Sequence, residues 1–585
     1  MPVFRHPWRW LAVATVAVLF GGLGFWYLTG SDADHKVTAQ HIDVNGVSLD
    51  TSWYAQTSGK APTVLIAHGF GGSKDSVDAS ARELAAHGYN VLTWTARGFG
   101  RSGGEIHLGA RDYEVRDAQG LIDWVATRAS VILDGPGNPR LGVVGGSYGG
   151  ALALNLAGVD SRVDAIVPQI TYNDLSRALQ PDTAGGSGVF SKAWSGVLFG
   201  AGLAPESSRV GIEADPQCGR FARDVCDAFL DTATTGVATE KSTRLLRSVS
   251  PVEVGGRISA PTLLIQGIAD SLFPPVEADA NAAAIRAGGK STPVRVAWFS
   301  GGHDGGAGSE ADAERVKFLT AQWLDHYLRH TGPAPGESFT YSRVTGVSVQ
   351  ERGVTTTGYK LSGYPGLTGS SDTSGAMPVS TIALALTGEP QRIASPPDRT
   401  PAAISVLPGL GSLVRGLATM ELDGQHAIFE SEPLVDPLDM LGTPRVRIKV
   451  ASPTGEATLF AKLYDVGPNG QATLPNGLAS PMRLTGLPAS IEQAQAVTVS
   501  LPAVSLRLDV GHRLRLVLAT SDQAYAGPVE PVVYTVALLG SQVDQAALVV
   551  PVAQGTPLAS AESVLLIALA ILLAAIILGV GATVV

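Results

Sequence analysis

Between His41 and His330 the apolar positions follow two alternating rhythms. Short, nearly continuous apolar or β-branched runs, Thr63 to Ala67, Asn90 to Thr95, Leu141 to Val144, Val163 to Pro168, Thr262 to Gln266 and Val294 to Phe299, have the pattern of strands covered on both faces. Longer stretches between them, Asp75 to His87, Arg111 to Arg128, Tyr148 to Ala157, Val276 to Ala287 and Ala311 to His330, read as helices. His41 to Trp53 reads as a hairpin turning at Asn45-Gly46. Strand and helix taking turns predict a mostly parallel sheet covered by helices over residues 36–332. From Tyr172 to about Val254 the rhythm breaks into Gly-, Ser- and Ala-rich pieces with short amphipathic patches.

After Thr331-Gly332-Pro333 helical periodicity disappears, and Thr, Val, Ser, Pro and Gly dominate to about Gln554. Pro444 to Val450, Thr458 to Tyr464, Ala496 to Leu501 and Arg513 to Thr520 read as short strands, the last alternating Arg-Leu-Arg-Leu-Val-Leu. This predicts an all-β sandwich domain over residues 333–554. At the two ends the pattern is different again. Arg5, His6 and Arg9 precede an uncharged stretch from Trp10 to Leu28, and Ser563 to Val585 is also uncharged. Each is long enough to span a bilayer. The expectation is an uncleaved signal anchor (residues 1–35, span about 10–28), favoured over a removed signal peptide, then a linker and second span (residues 555–585, span about 563–585), and everything between them outside the cytoplasm.

Composition narrows the chemistry. Among 585 residues, 52 acidic against 42 basic side chains give a net charge of −10; with no basic stripe, nucleic acid is excluded as a partner. Two cysteines, Cys218 and Cys226, exclude a disulfide framework and a Cys-rich metal site. On one straight helix they would stand roughly 12 Å apart, too far to bond, so pairing requires a turn between them. A pair and two separate thiols both remain open.

The catalytic candidates follow from Leu141-Gly142-Val143-Val144-Gly145-Gly146-Ser147-Tyr148-Gly149-Gly150. Strand, sharp turn and helix around Gly-x-Ser-x-Gly is the context in which a serine becomes an exposed nucleophile. With 69 glycines in the chain the motif alone is weak, and it recurs at Gly100-Arg101-Ser102-Gly103-Gly104. No helix opens after that second copy, so Ser102 is read as a loop residue and Ser147 as the nucleophile. A serine hydroxyl needs a base and a group to orient the base. Asp270 and His303 follow separate late strands in the required order, on loops at the strands' carboxyl ends, where such sheets place their sites. Asp304 competes with Asp270 as the acid, but adjacency to His303 makes the orienting bond awkward, and it is read as a loop charge. Two N–H donors are needed for the oxyanion: Tyr148 supplies one, and Phe70, in Ala67-His68-Gly69-Phe70-Gly71-Gly72, is best placed for the other. His68 is read as structural. Attack by Ser147, an acyl-enzyme and water activated by His303 require no metal or organic cofactor.

These motifs resemble a known family. His68-Gly69-Phe70-Gly71-Gly72, Arg97-Gly98-Phe99-Gly100-Arg101-Ser102-Gly103-Gly104, Asp117 with Asp123-Trp124, and the Ser147 segment look like the X-Pro dipeptidyl-peptidase and cocaine-esterase group of α/β-hydrolase serine hydrolases. Ala461-Lys462-Leu463-Tyr464-Asp465-Val466-Gly467-Pro468-Asn469-Gly470 and Asp509-Val510-Gly511-His512-Arg513-Leu514-Arg515-Leu516 are similar to that group's C-terminal jelly-roll domain. The resemblance implies an α/β hydrolase with a helical cap, here about 172–254, plus a jelly roll, acting on ester or amide bonds of a small ester, peptide or acyl substrate. One departure is Phe70, where such proteins often place a tyrosine whose hydroxyl helps bind the oxyanion. A dipeptidyl-peptidase also needs an acidic group for the substrate's free amine, and Asp174 or Asp231 of the cap are examples. The leading expectation is a membrane-anchored, extracytoplasmic serine hydrolase. The competing ones are an acyl esterase acting on lipid or cell-envelope esters, and a hydrolase-like accessory module of a membrane transporter, with a membrane-protein partner.

Overall fold

Asn45 and Gly46 both take positive φ, 51° and 75°, as a tight hairpin turn matching strand twist requires. They fold His35–Val44 (β1) antiparallel onto Val47–Gln56 (β2). The computed structural model describes residues 34–203, 215–289, 291–348, 353–368, 380–396, 421–539 and 547–558. Both expected membrane spans lie outside these residues. Among the described residues, no helix is long and apolar enough to cross a membrane.

The first sheet continues with Thr63–Ala67 (β3), Asn90–Trp94 (β4), Leu141–Gly146 (β5), Val163–Gln169 (β6), Thr262–Gly267 (β7) and Val294–Phe299 (β8). It adds Phe339–Ser348 (β9) and Gly353–Leu361 (β10), in the order β1-β2-β4-β3-β5-β6-β7-β8-β9-β10. Pairing is parallel from β4 to β9. Every residue of β3, β4, β7 and β8 is buried, which is why these strands read as nearly continuous apolar or β-branched runs, interrupted by buried polar residues such as Asn90 and Arg295. Asp78–Ala86 (α1) covers one face. Arg116–Ala126 (α2) and Tyr148–Val159 (α3) cover the other.

The cap runs from Thr171 to about Val254 and contains Lys192–Leu203 (α4), Arg223–Thr235 (α5) and Glu240–Ser248 (α6). Pro275–Ala287 (α7) then joins the α2/α3 face, and Glu310–Leu324 (α8) joins the α1 face.

Two strands cross the boundary expected at residue 332. β9 and β10 extend the first sheet rather than the second domain, because Phe339 and Tyr341 sink fully into the core beneath β8. Thr556–Pro557 returns to pair with β10, and the Gly555 N–H donates to Tyr341 Oη at 3.1 Å. The β-rich domain is thus tied to the first sheet at both of its ends.

That domain is two antiparallel layers over one core. One layer contains Arg445–Ala451, Val532–Leu538 and Ala547–Val552; the other contains His426–Ser431, Glu456–Val466 and Arg513–Ala519. Ser380–Thr387 pairs with both. The alternation in Arg513–Ala519 sends Leu514, Leu516 and Leu518 inward. The sandwich grips the cap through backbone hydrogen bonds, Ala193 N–H to Ala524 O (3.1 Å) and Ala526 N–H to Phe190 O (2.8 Å).

Candidate active site

Ser147 joins β5 to α3 at φ 56°, ψ −122°, a conformation unfavourable for a side chain with a Cβ. The surroundings hold it there. Its N–H donates to Gln169 O (2.8 Å), and its carbonyl accepts from Thr171 Oγ1 (2.7 Å). The turn also needs a close approach at Gly149, where a Cβ would lie 2.3 Å from Ala67 O. This is the physical reason for glycine at that motif position.

Asp270 follows β7 and is fully buried. Its Oδ1 accepts from the Leu272 and Phe273 N–H groups at 3.0 and 2.8 Å. Its Oδ2 accepts from His303 Nδ1 at 2.7 Å and from the His303 N–H at 3.1 Å. His303 follows β8; Gly302 before it has φ 137° and lies so close to Asp270 that a Cβ would be 2.6 Å from the aspartate's own. His303 Nε2 stands 2.9 Å from Ser147 Oγ. With Nδ1–H bound to the carboxylate, Nε2 is the acceptor facing the serine. Burial disfavours the imidazolium, but the charge and hydrogen bond of Asp270 outweigh it and raise the His303 pKa. The structure therefore brings Ser147, His303 and Asp270 into one hydrogen-bonded chain.

Asp304, the competing acid, lies on the loop and leaves the His303 bond to Asp270. Its side chain is buried, and its Oδ2 accepts from the Ser271 N–H at 2.5 Å. Burial, then the charge of Asp270, push its pKa up to about 6. Ser102 is buried away from the histidine: its Oγ donates to Thr95 O (2.6 Å) and accepts from the Asp50 N–H (2.9 Å). His68 braces its loop, with Nε2 accepting from the Ala96 N–H (2.9 Å) and Nδ1 bonded to Gly69 O (2.7 Å). Burial drives its pKa down to about 4 and keeps it neutral.

The His68–Gly72 loop runs beside the serine, since a Cβ on Gly69 would lie 3.8 Å from Ser147 Cβ. Phe70 and Tyr148 both border the cavity that contains Ser147. Among the described residues, neither backbone N–H is given to a protein acceptor. The Phe70 ring packs edge-on against Phe99 and Tyr148, at 4.9 and 5.6 Å, so only its backbone faces the task of a donor.

That cavity, about 90 Å³, extends into the cap. Phe199 stacks on Phe221 at 5.0 Å and on Phe229 at 3.9 Å to form one wall, with Val225 and Leu246 also lining it. Among the described residues no Asp, Glu, Lys, Arg or His borders it. Asp174 is bonded to Arg247 (2.5 Å) and to Ser176, and Asp231 is exposed on α5; neither faces the cavity, so neither suits the role of amine-binding group. Cys218 and Cys226 form a disulfide with a Cα–Cα distance of 5.5 Å. Cys218 precedes α5, which supplies the turn that pairing requires, and the bond packs in the same cluster as Phe199, Phe221 and Val225.

Two residues of the site escaped the sequence. Trp194 and Phe273 meet His303 edge-on at 5.6 and 5.1 Å, and Trp194 Nε1 donates to Ser271 Oγ at 2.8 Å. Phe273 was within reach, three residues after Asp270. Trp194 comes from the cap, and nothing in its neighbourhood signals the contact. Among the described residues no three His, Cys, Asp or Glu side chains group as metal ligands do.

The model of the X-Pro dipeptidyl-peptidase (S15) family matches residues 45–288, and that of the X-Pro dipeptidyl-peptidase C-terminal non-catalytic domain matches residues 335–546. A solved alpha-amino acid ester hydrolase is 17% identical, covers 90% of this chain and 98% of its own, and superposes with a TM-score of 0.66. A CocE/NonD family hydrolase from Staphylococcus aureus is 14% identical, with 89% and 94% covered and a TM-score of 0.61. At such identities the likeness is one of fold. The quorum-quenching protein AidA of Acinetobacter baumannii is 32% identical over 149 residues, 24% of this chain and 47% of AidA. The chain spans about half the length of the curated relatives it matches.

Proposed function

The chain belongs to the X-Pro dipeptidyl-peptidase (S15) family, and from that premise we propose that it is a serine hydrolase of esters with apolar acyl groups rather than a dipeptidyl-peptidase. The cavity beside Ser147 carries this reading: it is walled by stacked phenylalanines and, among the described residues, bordered by no carboxylate. A substrate's free ammonium buried there unpaired would cost several kcal/mol. An alkyl chain instead gains about 0.8 kcal/mol for each methylene it buries.

In this reading His303 Nε2 takes the Ser147 Oγ proton as the oxygen attacks the ester carbonyl carbon. The backbone N–H groups of Phe70 and Tyr148 bind the oxyanion, and Asp270 stabilises the imidazolium. His303 returns the proton to the departing alkoxide, so alcohol leaves and acyl-Ser147 remains. Water then gives its proton to His303 and attacks the acyl carbon. Release of the carboxylic acid restores the Ser147 hydroxyl. A location outside the cytoplasm is part of the proposal. It is supported by the disulfide, which persists in oxidising compartments, and by the uncharged Trp10–Leu28 stretch behind Arg5 and Arg9.

The test is fluorophosphonate labelling of the wild type and Ser147→Ala, followed by kcat/KM on 4-nitrophenyl butyrate and on Gly-Pro-4-nitroanilide. Labelling should vanish in Ser147→Ala, and the ester should be favoured by at least about 100-fold. A wild type that folds but does not label overturns the hydrolase, and a preference for the dipeptide amide overturns the ester.

A further inference from the structure

After Lys192 at its start, α4 of the cap is apolar around its circumference but for the buried Ser195. From Ala193 to Leu203 it carries no charged residue. One face is spent inside: Trp194, Phe199 and Gly202 are buried, and Leu198 and Phe199 border the cavity. The opposite face, Gly196, Val197, Gly200, Ala201 and Leu203, is exposed. Val197 is 49% exposed and Leu203 36%. A Cβ added at Gly196 or Gly200 would meet nothing within 4 Å. A helix without a polar face is ordinarily buried in a core or in lipid, and this one is open among the described residues. It also sits at the edge of the catalytic site. Ala201 Cβ comes within 3.1 Å of where a Cβ on Gly71 would stand, next to the Phe70 donor.

We propose that this outer face of α4 docks on a lipid surface, so that the hydrolase takes its acyl ester from a bilayer. The inference rests on the ester-hydrolase reading above and names the phase in which its substrate resides. Two further observations select lipid over a protein partner. The uncharged stretches Trp10–Leu28 and Ser563–Val585 flank the described residues in sequence and have the length of bilayer spans, which would hold the cap close to a membrane. The face is also small. Eleven residues at 1.5 Å rise and about 10 Å width present on the order of 160 Å², whereas a stable protein interface needs about 800 Å² from each partner. Burying an apolar face of about 160 Å² at the headgroup boundary gains at most about 4 kcal/mol, enough to favour shallow insertion of a chain already tethered beside a bilayer.

The experiment uses the full chain reconstituted in phosphatidylcholine vesicles. Hydrolysis of 4-nitrophenyl palmitate dissolved in the bilayer is compared with hydrolysis of 4-nitrophenyl acetate in the surrounding water. Val197→Asp should lower the palmitate rate about tenfold or more and leave the acetate rate within about twofold. Val197→Trp should raise the palmitate rate, because tryptophan favours the interface, and a gain of this kind cannot come from misfolding. Equal losses on both esters in Val197→Asp, with no gain in Val197→Trp, would mean that the face packs on protein, either the rest of this chain or a second copy, and would overturn the proposal. So would palmitate rates indifferent to both changes. A wild type inactive even on acetate would instead refute the hydrolase reading beneath it.

Discussion

Replacing Asp270 by Asn tests the hydrogen-bonded chain more sharply than removing the serine, because it leaves every heavy atom in place. Asp270 Oδ1 is held by two backbone donors, Leu272 N–H and Phe273 N–H. An asparagine must therefore keep its carbonyl on that side and turn its NH₂ toward His303. There the amide meets two groups that donate to the aspartate, His303 Nδ1–H and the His303 N–H. To avoid opposed donors the ring must carry its proton on Nε2, the atom 2.9 Å from Ser147 Oγ, and it can then no longer accept from the serine. The cost of that wrong tautomer, with geometry preserved, is about 10⁴ in kcat, or about 5 kcal/mol in barrier height. The assay is kcat/KM on 4-nitrophenyl butyrate with a circular dichroism melt to show the variant folded. The pH dependence adds a second reading. In the wild type, activity rises as His303 loses its proton, with an inflection above the ordinary 6.5 because Asp270 raises the pKa against burial. In Asp270→Asn burial acts without that charge, so the residual inflection moves down. A folded variant within about tenfold of wild type, with the inflection unmoved, would refute the argument.

The remaining predictions concern the cavity, the cap and a buried acid. Filling the cavity from α5 with Ala228→Phe should flatten the acyl-chain preference, about 0.8 kcal/mol or fourfold per methylene in the wild type, while acetate hydrolysis survives; a butyrate-to-octanoate series measures it. Cys218→Ser should lower stability by about 2.5 kcal/mol, the loop-closure effect expected for a separation of 8 residues, and raise KM for long-chain esters as the phenylalanine wall loosens; a reducing agent should do the same to the wild type and nothing further to the variant. Glu277 is buried and pushed up to about 7 from 4.5, chiefly by desolvation. Its contribution to stability is whole below about 4.5 and lost as pH rises through 7. Glu277→Gln can still accept from the Asn173 N–H, bonded now at 2.7 Å. It should melt higher than wild type at pH 8, by the equivalent of about 3 kcal/mol, and nearly alike at pH 4.

The sequence alone determined most of the first sheet and the order of its chemistry. Strands buried on both faces have to be mostly apolar or β-branched, so β3, β4, β7 and β8 were legible as runs, and of the two Gly-x-Ser-x-Gly serines only Ser147 is followed by a helix, so it stood out from Ser102. Asp270 and His303 were legible for a related reason: loops at the carboxyl ends of parallel strands all open on one edge, which makes chain order a guide to proximity. Tertiary structure alone decided what depends on which distant surfaces meet. It withdrew Asp304 from solvent by giving it the Ser271 N–H, and it carried β9 and β10 across a compositional boundary because Phe339 and Tyr341 found space under β8. It paired two cysteines that spacing left undecided, since a turn before α5 sets their distance. It also brought Trp194 against His303 and stacked Phe199, Phe221 and Phe229 into one wall. Local patterning reports how much of a residue is covered, but not by what. The cap, whose helices bury side chains against two domains at once, is where that difference is greatest.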